Sequence, residues 1–133
     1  MAGTRLDFFL KSIGYPDRAP EGSVSFTLRV DGSEMRVEES AGRIVLSQVL
    51  TEDDSLLPML ASYASGRMLR EDATLAYGSH STFLWQDAPA DADERTLLRL
   101  FESFADSCDW WRARVDSREA DGTVEISEAV IRP

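Results

Sequence analysis

Apolar residues recur along this chain with two different spacings, and the changes between them predict where helices and strands lie. In the first segment, residues 4–13, they recur every three or four positions: Leu6, Phe9, Leu10 and Ile13. This spacing places them on one face of a helix. Gly14 and Pro16 follow as a stop signal, so the first helix is predicted to end there.

The next three segments alternate between apolar and polar residues, which is the pattern of strands. Residues 24–30 and 34–38 each have one apolar face, and Asp31–Gly32 between them is a strong hairpin signal. A turn at residues 40–42 leads to a third strand, residues 43–50. Its apolar side chains lie on both faces: Ile44, Leu46 and Leu50 on one, Val45 and Val49 on the other. We therefore expect this strand to be covered on both sides, by a second layer of the chain or by a partner.

Two helices and two further strands complete the predicted order. The second helix has Pro58 in its first turn, with Asp54 or Ser55 as its N-cap. Strands follow at residues 73–77 and 81–86, around the turn Gly78-Ser79-His80. The third helix is predicted to begin near Asp91, with Glu94 as capping partner, and to end around residues 116–118. Its apolar face is the bulkiest in the chain: Leu97, Phe101, Phe104, Cys108, Trp111 and Val115.

These elements predict an α+β fold, with a twisted antiparallel sheet and helices packed on it in the order α-β-β-β-α-β-β-α. The domain is expected to span residues 1–118. Residues 119–133 form a C-terminal tail, in which residues 123–127 alternate like a short strand. We expect that tail to add a strand at a sheet edge or to be a disordered end.

Charge narrows the classes of partner. The 133 residues include 24 acidic and 14 basic side chains, a net charge of −10. This balance disfavours nucleic acid and anionic membranes, which both need clustered positive charge. It suits a basic or apolar protein partner. The single cysteine and the lack of an apolar signal segment or membrane-length run lead us to expect a cytoplasmic protein.

Candidate catalytic and metal-binding residues are few. His80 has no second histidine beside it in a possible ligand set and lies in a polar turn, where turn formation explains it. Cys108 lies on the apolar helix face, where a cysteine packs as an inert side chain. The acidic clusters at residues 53–54 and 91–94 coincide with helix starts, where carboxylates act as caps. We therefore expect no enzyme activity, no metal site and no cofactor.

The second helix carries more apolar surface than a short helix needs on one sheet face: Leu56, Leu57, Met59, Leu60 and Tyr63. This surplus favours a homodimer, and burial within the single chain is the alternative. Trp110 lies beside Trp111 and cannot share its face of the helix. Trp110 either covers the flank of the helix or contacts a partner.

Three stretches resemble the class I type III secretion chaperones: Leu6-Asp7-Phe8-Phe9-Leu10, Leu56-Leu57-Pro58-Met59-Leu60-Ala61, and Phe83 through Pro89 with the helix from Leu97 to Phe104. The resemblance covers about Thr4 to Asp116. It implies a cytoplasmic bacterial homodimer that uses no ATP. Such a protein binds the N-terminal region of a secreted effector in extended form and keeps it competent for export. Extended binding would use strand addition and apolar pockets.

The resemblance also assigns surfaces. It places the dimer interface on the second helix and the strand after it: Leu56, Leu57, Met59, Leu60, Tyr63 and Leu75. Effector contacts are expected on the first helix, the first strands and one residue of the last helix: Phe8, Val24, Phe26, Leu28, Val37 and Trp110. Two rival hypotheses remain, a non-secretion adaptor or regulatory module of the same fold and a small enzyme built around His80.

Overall fold

The computed structural model describes residues 5–20, 22–30, 32–67 and 71–131. The elements follow the predicted order: α1 (Arg5–Ser12), β1 (Ser25–Val30), β2 (Ser33–Ser40), β3 (Arg43–Thr51), α2 (Leu57–Arg67), β4 (Thr74–Gly78), β5 (Ser81–Pro89) and α3 (Glu94–Ile131). A short 3₁₀ turn, Asp54–Leu56, leads into α2. The predicted α+β class is confirmed.

Helix α1 ends at the predicted stop signal. Gly14 has φ 76°, and its N–H donates to the Lys11 carbonyl while the Tyr15 N–H donates to the Leu10 carbonyl, both at 3.0 Å. This pair of bonds is the Schellman motif, which satisfies the last carbonyls of a helix and favours glycine at the left-handed position. Thr4, the predicted start of the helix, lies outside the described residues.

The five strands form one antiparallel sheet in the order β1-β2-β3-β5-β4. Tight turns join the hairpins, and their central residues have positive φ: Ala41 and Gly42 between β2 and β3, and Ser79 and His80 between β4 and β5. Two successive positive φ angles match the twist of a hairpin. Gly32 has φ 81° in the first hairpin, where Asp31 lies outside the described residues.

One face of the sheet is buried under α1 and α3, because the strands alternate and their apolar positions coincide across the register. The inward positions include Leu28, Met35, Val37, Ile44, Leu46 and Leu84. The predicted face of α3 packs on them, with Leu97, Phe104, Cys108, Trp111 and Val115 all buried. Phe101 is half-buried and meets Phe9 of α1 edge-on.

The structure corrects two predicted helix starts. The carboxylate of Asp93 accepts a hydrogen bond from the Thr96 N–H at 2.8 Å, so Asp93, and not Asp91, caps α3. Asp53, and not Asp54 or Ser55, accepts from the Ser55 N–H at 2.9 Å, because the 3₁₀ turn adds residues before α2. A local pattern places a helix start only to within a few residues, since several neighbouring side chains can cap.

The predicted strand at residues 123–127 is wrong, because α3 continues through Ile131. Extending an existing helix costs much less free energy than nucleating a new element. Alternation over only five residues is too short a pattern to outweigh that difference. Residues 132–133 of the tail lie outside the described residues, and the domain division at residue 118 stays a prediction. Among the described helices, none combines the length and the apolarity that crossing a bilayer requires.

Candidate protein-binding surfaces

His80 and the acidic clusters have structural roles in the described part of the chain. His80 is exposed at the tip of the β4–β5 hairpin. Hydrogen bonds from Ser55 and Thr96 lower the pKa of Asp53 and Asp93, as expected for carboxylates that cap helices. Within residues 5–20, 22–30, 32–67 and 71–117, whose side chains the structure describes, no three histidine, cysteine or acidic side chains converge as metal ligands would.

Cys108 is only 3 % exposed, and burial raises the pKa of its thiol to about 12. A thiol in that environment stays protonated at neutral pH and is a poor nucleophile, because the thiolate is the reactive form. The structure therefore places Cys108 in the core, as the sequence predicted.

A cleft lies between α1 and the loop that follows it; we call it the α1 cleft. Its volume is about 660 Å³, and it is lined by Phe8, Leu10, Gly14 and Tyr15 together with Arg5, Asp7, Lys11, Asp17 and Arg18. Three cationic and two anionic side chains therefore surround an apolar floor. The Arg5 guanidinium lies 4.1 Å above the Phe8 ring, and Arg18 is 3.7 Å from the Asp7 carboxylate.

One residue of the α1 cleft contacts the outer strand of the sheet. Tyr15, in the cleft, meets Phe26 of β1 edge-on at 5.7 Å. Strand β1 pairs only with β2, so its outer edge is open in the described part of the chain. Val24, just before β1, is 60 % exposed. Tyr15 thus links two predicted effector contacts, Phe8 and Phe26, and the exposed Val24 precedes the same strand. No pattern in the sequence had singled out Tyr15.

Leu28 and Val37, two other predicted effector contacts, lie on the covered face of the sheet. They are 1 % and 0 % exposed. In the alternating pattern of β1 and β2, these two side chains point toward α1 and α3. Neither side chain is therefore accessible to an effector in the single chain. We assign both residues to the core.

Helix α2 divides its apolar residues between the core and the surface. Leu56, in the turn before α2, and Leu60 are buried within the single chain. For these two residues, burial in the core explains the apolar side chain without a dimer. Leu57, Met59 and Leu75 are half-buried, and Tyr63 is 43 % exposed. A pairing role for these four residues stays a prediction.

Trp110 is the centre of a stack within the chain. The guanidinium groups of Arg67 and Arg114 lie 3.8 Å and 4.2 Å from its ring centre, while Tyr63 and Trp111 meet it edge-on. Cation–π contacts of this kind hold an indole between neighbours. Of the two sequence alternatives, the structure favours the one in which Trp110 covers the flank of α3.

Glu71 ties the segment before β4 to α3, which no sequence pattern indicated. Its carboxylate accepts hydrogen bonds from the Trp111 Nε1–H at 2.9 Å and the Ser107 hydroxyl at 2.8 Å. Arg67 approaches the same carboxylate at 3.2 Å. Trp111 is fully buried, so this acceptor satisfies an indole N–H that water does not reach.

The second face of the sheet has no helix packed on it in the described part of the chain. We call it the open face: it consists of the outward side chains of all five strands, among them Val45, Val49, Phe83 and Trp85. Not one of the described side chains on this face is buried, and Val49 is 50 % exposed. The described part of the chain therefore provides no second layer over β3, and cover by a partner stays a prediction.

Three solved structures are similar to this fold over most of the chain. The structure of the HopA1–SchA chaperone–effector complex matches with a TM-score of 0.64 and 18 % identity, covering 81 % of this chain and 90 % of that one. For the ExsC–ExsE complex the TM-score is 0.63 and the identity 16 %, covering 82 % and 89 %. The heterodimeric ExoU–SpcU complex from the type III secretion system of Pseudomonas aeruginosa gives 0.60 and 18 %, covering 83 % and 93 %.

No family model and no curated protein matches the chain. Identities of 16–18 % establish a shared fold and nothing narrower. The chain therefore has the fold of the type III secretion chaperones, which confirms at the level of fold the resemblance noted in the sequence.

Proposed function

We propose that this protein is a cytoplasmic, homodimeric chaperone for a type III secretion effector. It binds the N-terminal region of the effector in extended form, without ATP, and keeps it competent for export. It performs no catalysis. The observation that carries the proposal is that Tyr15 of the α1 cleft contacts Phe26 of β1, whose outer edge is open in the described part of the chain. The fold is shared with proteins solved in complexes that include a chaperone–effector pair.

An extended segment fits this surface for two physical reasons. An outer strand presents unpaired backbone groups, and a peptide that adds to it gains main-chain hydrogen bonds without needing a particular sequence. Alternate side chains of that peptide would then point toward the sheet face on which α1 lies, where Phe8, Tyr15 and Phe26 supply apolar contacts. Binding of this kind holds the client unfolded without consuming a nucleotide.

The test uses the secreted proteins encoded next to this gene as candidate clients. Each is co-expressed as an N-terminal fragment of about 100 residues, roughly one domain length, with the tagged full-length chain, and the complex is isolated by affinity and size-exclusion chromatography. We expect one fragment to co-purify and to be degraded when the chain is omitted. Failure of every secreted neighbour to bind would contradict the proposal and favour an adaptor outside secretion.

Matched variants locate the surface. Phe8→Asp places a charge against the apolar floor of the α1 cleft and should weaken client capture about tenfold or more, the effect of losing about 1.4 kcal/mol. Ser65→Asp adds the same charge at an exposed position of α2 and should leave capture unchanged. Equal capture by both variants, each with wild-type circular dichroism, would place the client elsewhere.

A further inference from the structure

The sheet is split between β2 and β3 at the end where the β1–β2 hairpin turns. The paired register of these two strands ends where Arg36 lies opposite Ser47. Residues 33–35 of β2 and residues 48–51 of β3 belong to their strands but do not pair with each other. Over the same residues β2 stays paired with β1, so the hairpin diverges from the end of β3. We call the gap between these two unpaired segments the slot.

Side chains take the place of the missing strand pairing at the slot. The Gln48 Nε2 group of β3 donates to the Glu34 carbonyl of β2 at 3.1 Å. Arg112 reaches β3 from α3, and its two Nη groups donate to the Leu50 carbonyl at 2.9 Å and the Val49 carbonyl at 2.5 Å. The register of β3 with β5 shifts at the same place, and such a bulge interrupts the hydrogen-bond ladder. These bonds hold the Arg112 guanidinium beside the slot.

The slot opens into a cavity of about 570 Å³ on the open face. Most of its wall consists of outward side chains of β1, β2 and β3 that carry hydroxyl or charged groups. The lining residues are Thr27, Gly32, Ser33, Glu34, Arg36, Ser47, Gln48, Val49 and Arg112. Two guanidinium groups accompany one carboxylate, so the lining has one positive charge in excess, although the whole chain carries −10. The cavity is therefore locally positive on an acidic chain.

Arg112 brings a positive charge that no carboxylate balances in the described part of the chain. Its hydrogen bonds go to neutral oxygen atoms, two backbone carbonyls and, at 3.5 Å, the amide oxygen of Gln48. Its Nε–H is buried and has no hydrogen-bond partner among the described residues. Asp109 and Asp116, the acids closest to it on α3, are exposed and form no ion pair with it. The Arg112 guanidinium is therefore available to an external anion.

The other charges of the cavity are engaged only at its margin. Arg29, outside the lining, is 3.3 Å from Glu34, so the one carboxylate of the wall already has a positive neighbour. Arg36 is 3.8 Å from Glu38, and both side chains are about half exposed. Exposed ion pairs of this kind contribute little free energy. Arg36 can therefore exchange its partner for an anion in the cavity at small cost.

We propose that the slot binds a carboxylate group, with Arg36 and Arg112 as its charged partners and the hydroxyl groups of the lining as further donors. The fork of a guanidinium donates two parallel hydrogen bonds to a carboxylate, and charge-assisted bonds are roughly twice as strong as neutral ones. One positive charge in excess matches a carboxylate better than a phosphate ester, which carries about −1.5 to −2 at neutral pH. The carboxylate belongs either to an acidic side chain of a bound protein or to a small free acid.

The acidity of the rest of the chain does not prevent this binding, because salt screens distant charges. At physiological ionic strength, exposed charges more than about 8 Å apart are largely screened from each other. The groups that decide the affinity are therefore those in the wall of the cavity. The cavity shares no lining residue with the α1 cleft, so this inference goes beyond the proposed chaperone function and does not depend on it.

NMR titration of the full-length ¹⁵N-labelled chain at physiological salt tests the proposal. The probes are glutarate, a blocked tripeptide with a central glutamate, and inorganic phosphate. We expect glutarate and the peptide to shift the backbone amide signals of Gly32, Ser33 and Ser47 along one saturable curve. A lower Kd for the peptide assigns the carboxylate to a protein side chain, and an equal or lower Kd for glutarate assigns it to a small free acid. Tighter binding of phosphate than of both carboxylates overturns the proposal.

Matched variants show which charges hold the anion. Arg36→Gln should weaken glutarate binding about tenfold, because charge-assisted hydrogen bonds are lost. Arg43→Gln also removes a positive charge from an ion pair on the open face, but outside the cavity lining, and should leave the Kd unchanged. Glu34→Gln removes the carboxylate from the wall and should lower the Kd.

Arg112 is not replaced in this test, because it anchors α3 to the carbonyls of β3. Circular dichroism of each variant confirms that the fold is retained before binding is compared. Equal Kd values for Arg36→Gln and Arg43→Gln would overturn the proposal, as would the absence of saturable shifts at the slot in the wild type. Weaker binding by Glu34→Gln would contradict the electrostatic argument on which it rests.

Discussion

Replacing Glu71 with alanine removes the acceptor for two donors on α3. The side chain of Glu71 is 10 % exposed, and its carboxylate accepts from Trp111 Nε1 and from the Ser107 hydroxyl. Trp111 is fully buried, so the truncation leaves an indole N–H without a partner in the core. Glu71 thus offers a sharp test of how α3 is fixed to the rest of the domain.

The expected loss follows from these contacts. An unsatisfied buried donor costs about 1–3 kcal/mol, and the lost bond from the buried Ser107 hydroxyl adds about 0.5–1.5 kcal/mol. The ion pair with Arg67 is partly exposed and contributes little. The free energy of unfolding should therefore fall by about 3 kcal/mol, a large share of the roughly 5–15 kcal/mol of a typical domain.

Urea unfolding measures this loss through the midpoint concentration. With a slope of about 1–3 kcal/mol per molar urea, a loss of about 3 kcal/mol lowers the midpoint by about 1–3 M. Glu102→Ala, an exposed change on α3, is the control and should shift the midpoint only slightly. Trp111→Phe removes the indole N–H, so Glu71→Ala should cost about 1–2 kcal/mol less in that background.

Two results would refute this reasoning. An equal cost of Glu71→Ala in the wild-type and Trp111→Phe backgrounds would show that the indole bond contributes nothing. A midpoint indistinguishable from that of Glu102→Ala would show that the carboxylate does not hold α3 in place at all.

Three further predictions concern single residues. Burial raises the pKa of Cys108 to about 12. At pH 8, iodoacetamide should therefore modify the native protein much more slowly than the urea-unfolded protein, as followed by mass spectrometry. Equal rates would contradict the burial of this thiol. The lowered pKa of Asp93 means that its cap stabilises the fold above the unfolded pKa of about 3.9 and loses that effect as pH falls through the folded value. Asp93→Ala should therefore lower the urea midpoint at pH 7 and leave it nearly unchanged at strongly acid pH, and an equal shift at both pH values would reject the linkage. Gly14→Ala should destabilise the protein by about 1–2 kcal/mol, because the φ of Gly14 is 76°. Gly66→Ala, within α2 and with open space at its Cβ position, should stabilise the protein by about 0.5 kcal/mol in the same unfolding assay. Destabilisation by both variants would contradict the backbone argument.

Periodicity was a good guide wherever one element buries one face. The spacing of Leu97, Phe104, Trp111 and Val115 predicted the buried side of α3, and alternation separated the two faces of β1, β2 and β3. The Gly14 stop signal was also local, since a left-handed residue and two backbone bonds decide where a helix ends. These features depend on neighbours within a few residues, so the sequence contains them.

The candidate surfaces were harder to predict, because the sequence does not distinguish an apolar residue that packs in the core from one that contacts a partner. Leu28, Val37, Leu56 and Leu60 were expected at interfaces, and the chain buries all four itself. Trp110 was a possible contact, and Arg67 and Arg114 cover it. Such outcomes depend on which segments pack together across dozens of residues.

By itself, then, the sequence determined the order of the elements, the acidic character of the chain and the resemblance in fold. Only the tertiary structure decided which surfaces are left open. The sheet order β1-β2-β3-β5-β4 brings β3 beside β5, so that Val49 lies opposite Phe83 although helix α2 and strand β4 separate the two strands in sequence. The same packing places Arg43 in an ion pair with Asp87, 44 residues away in the sequence. The hydrogen-bond register of the sheet, and not proximity along the chain, sets which side chains are neighbours.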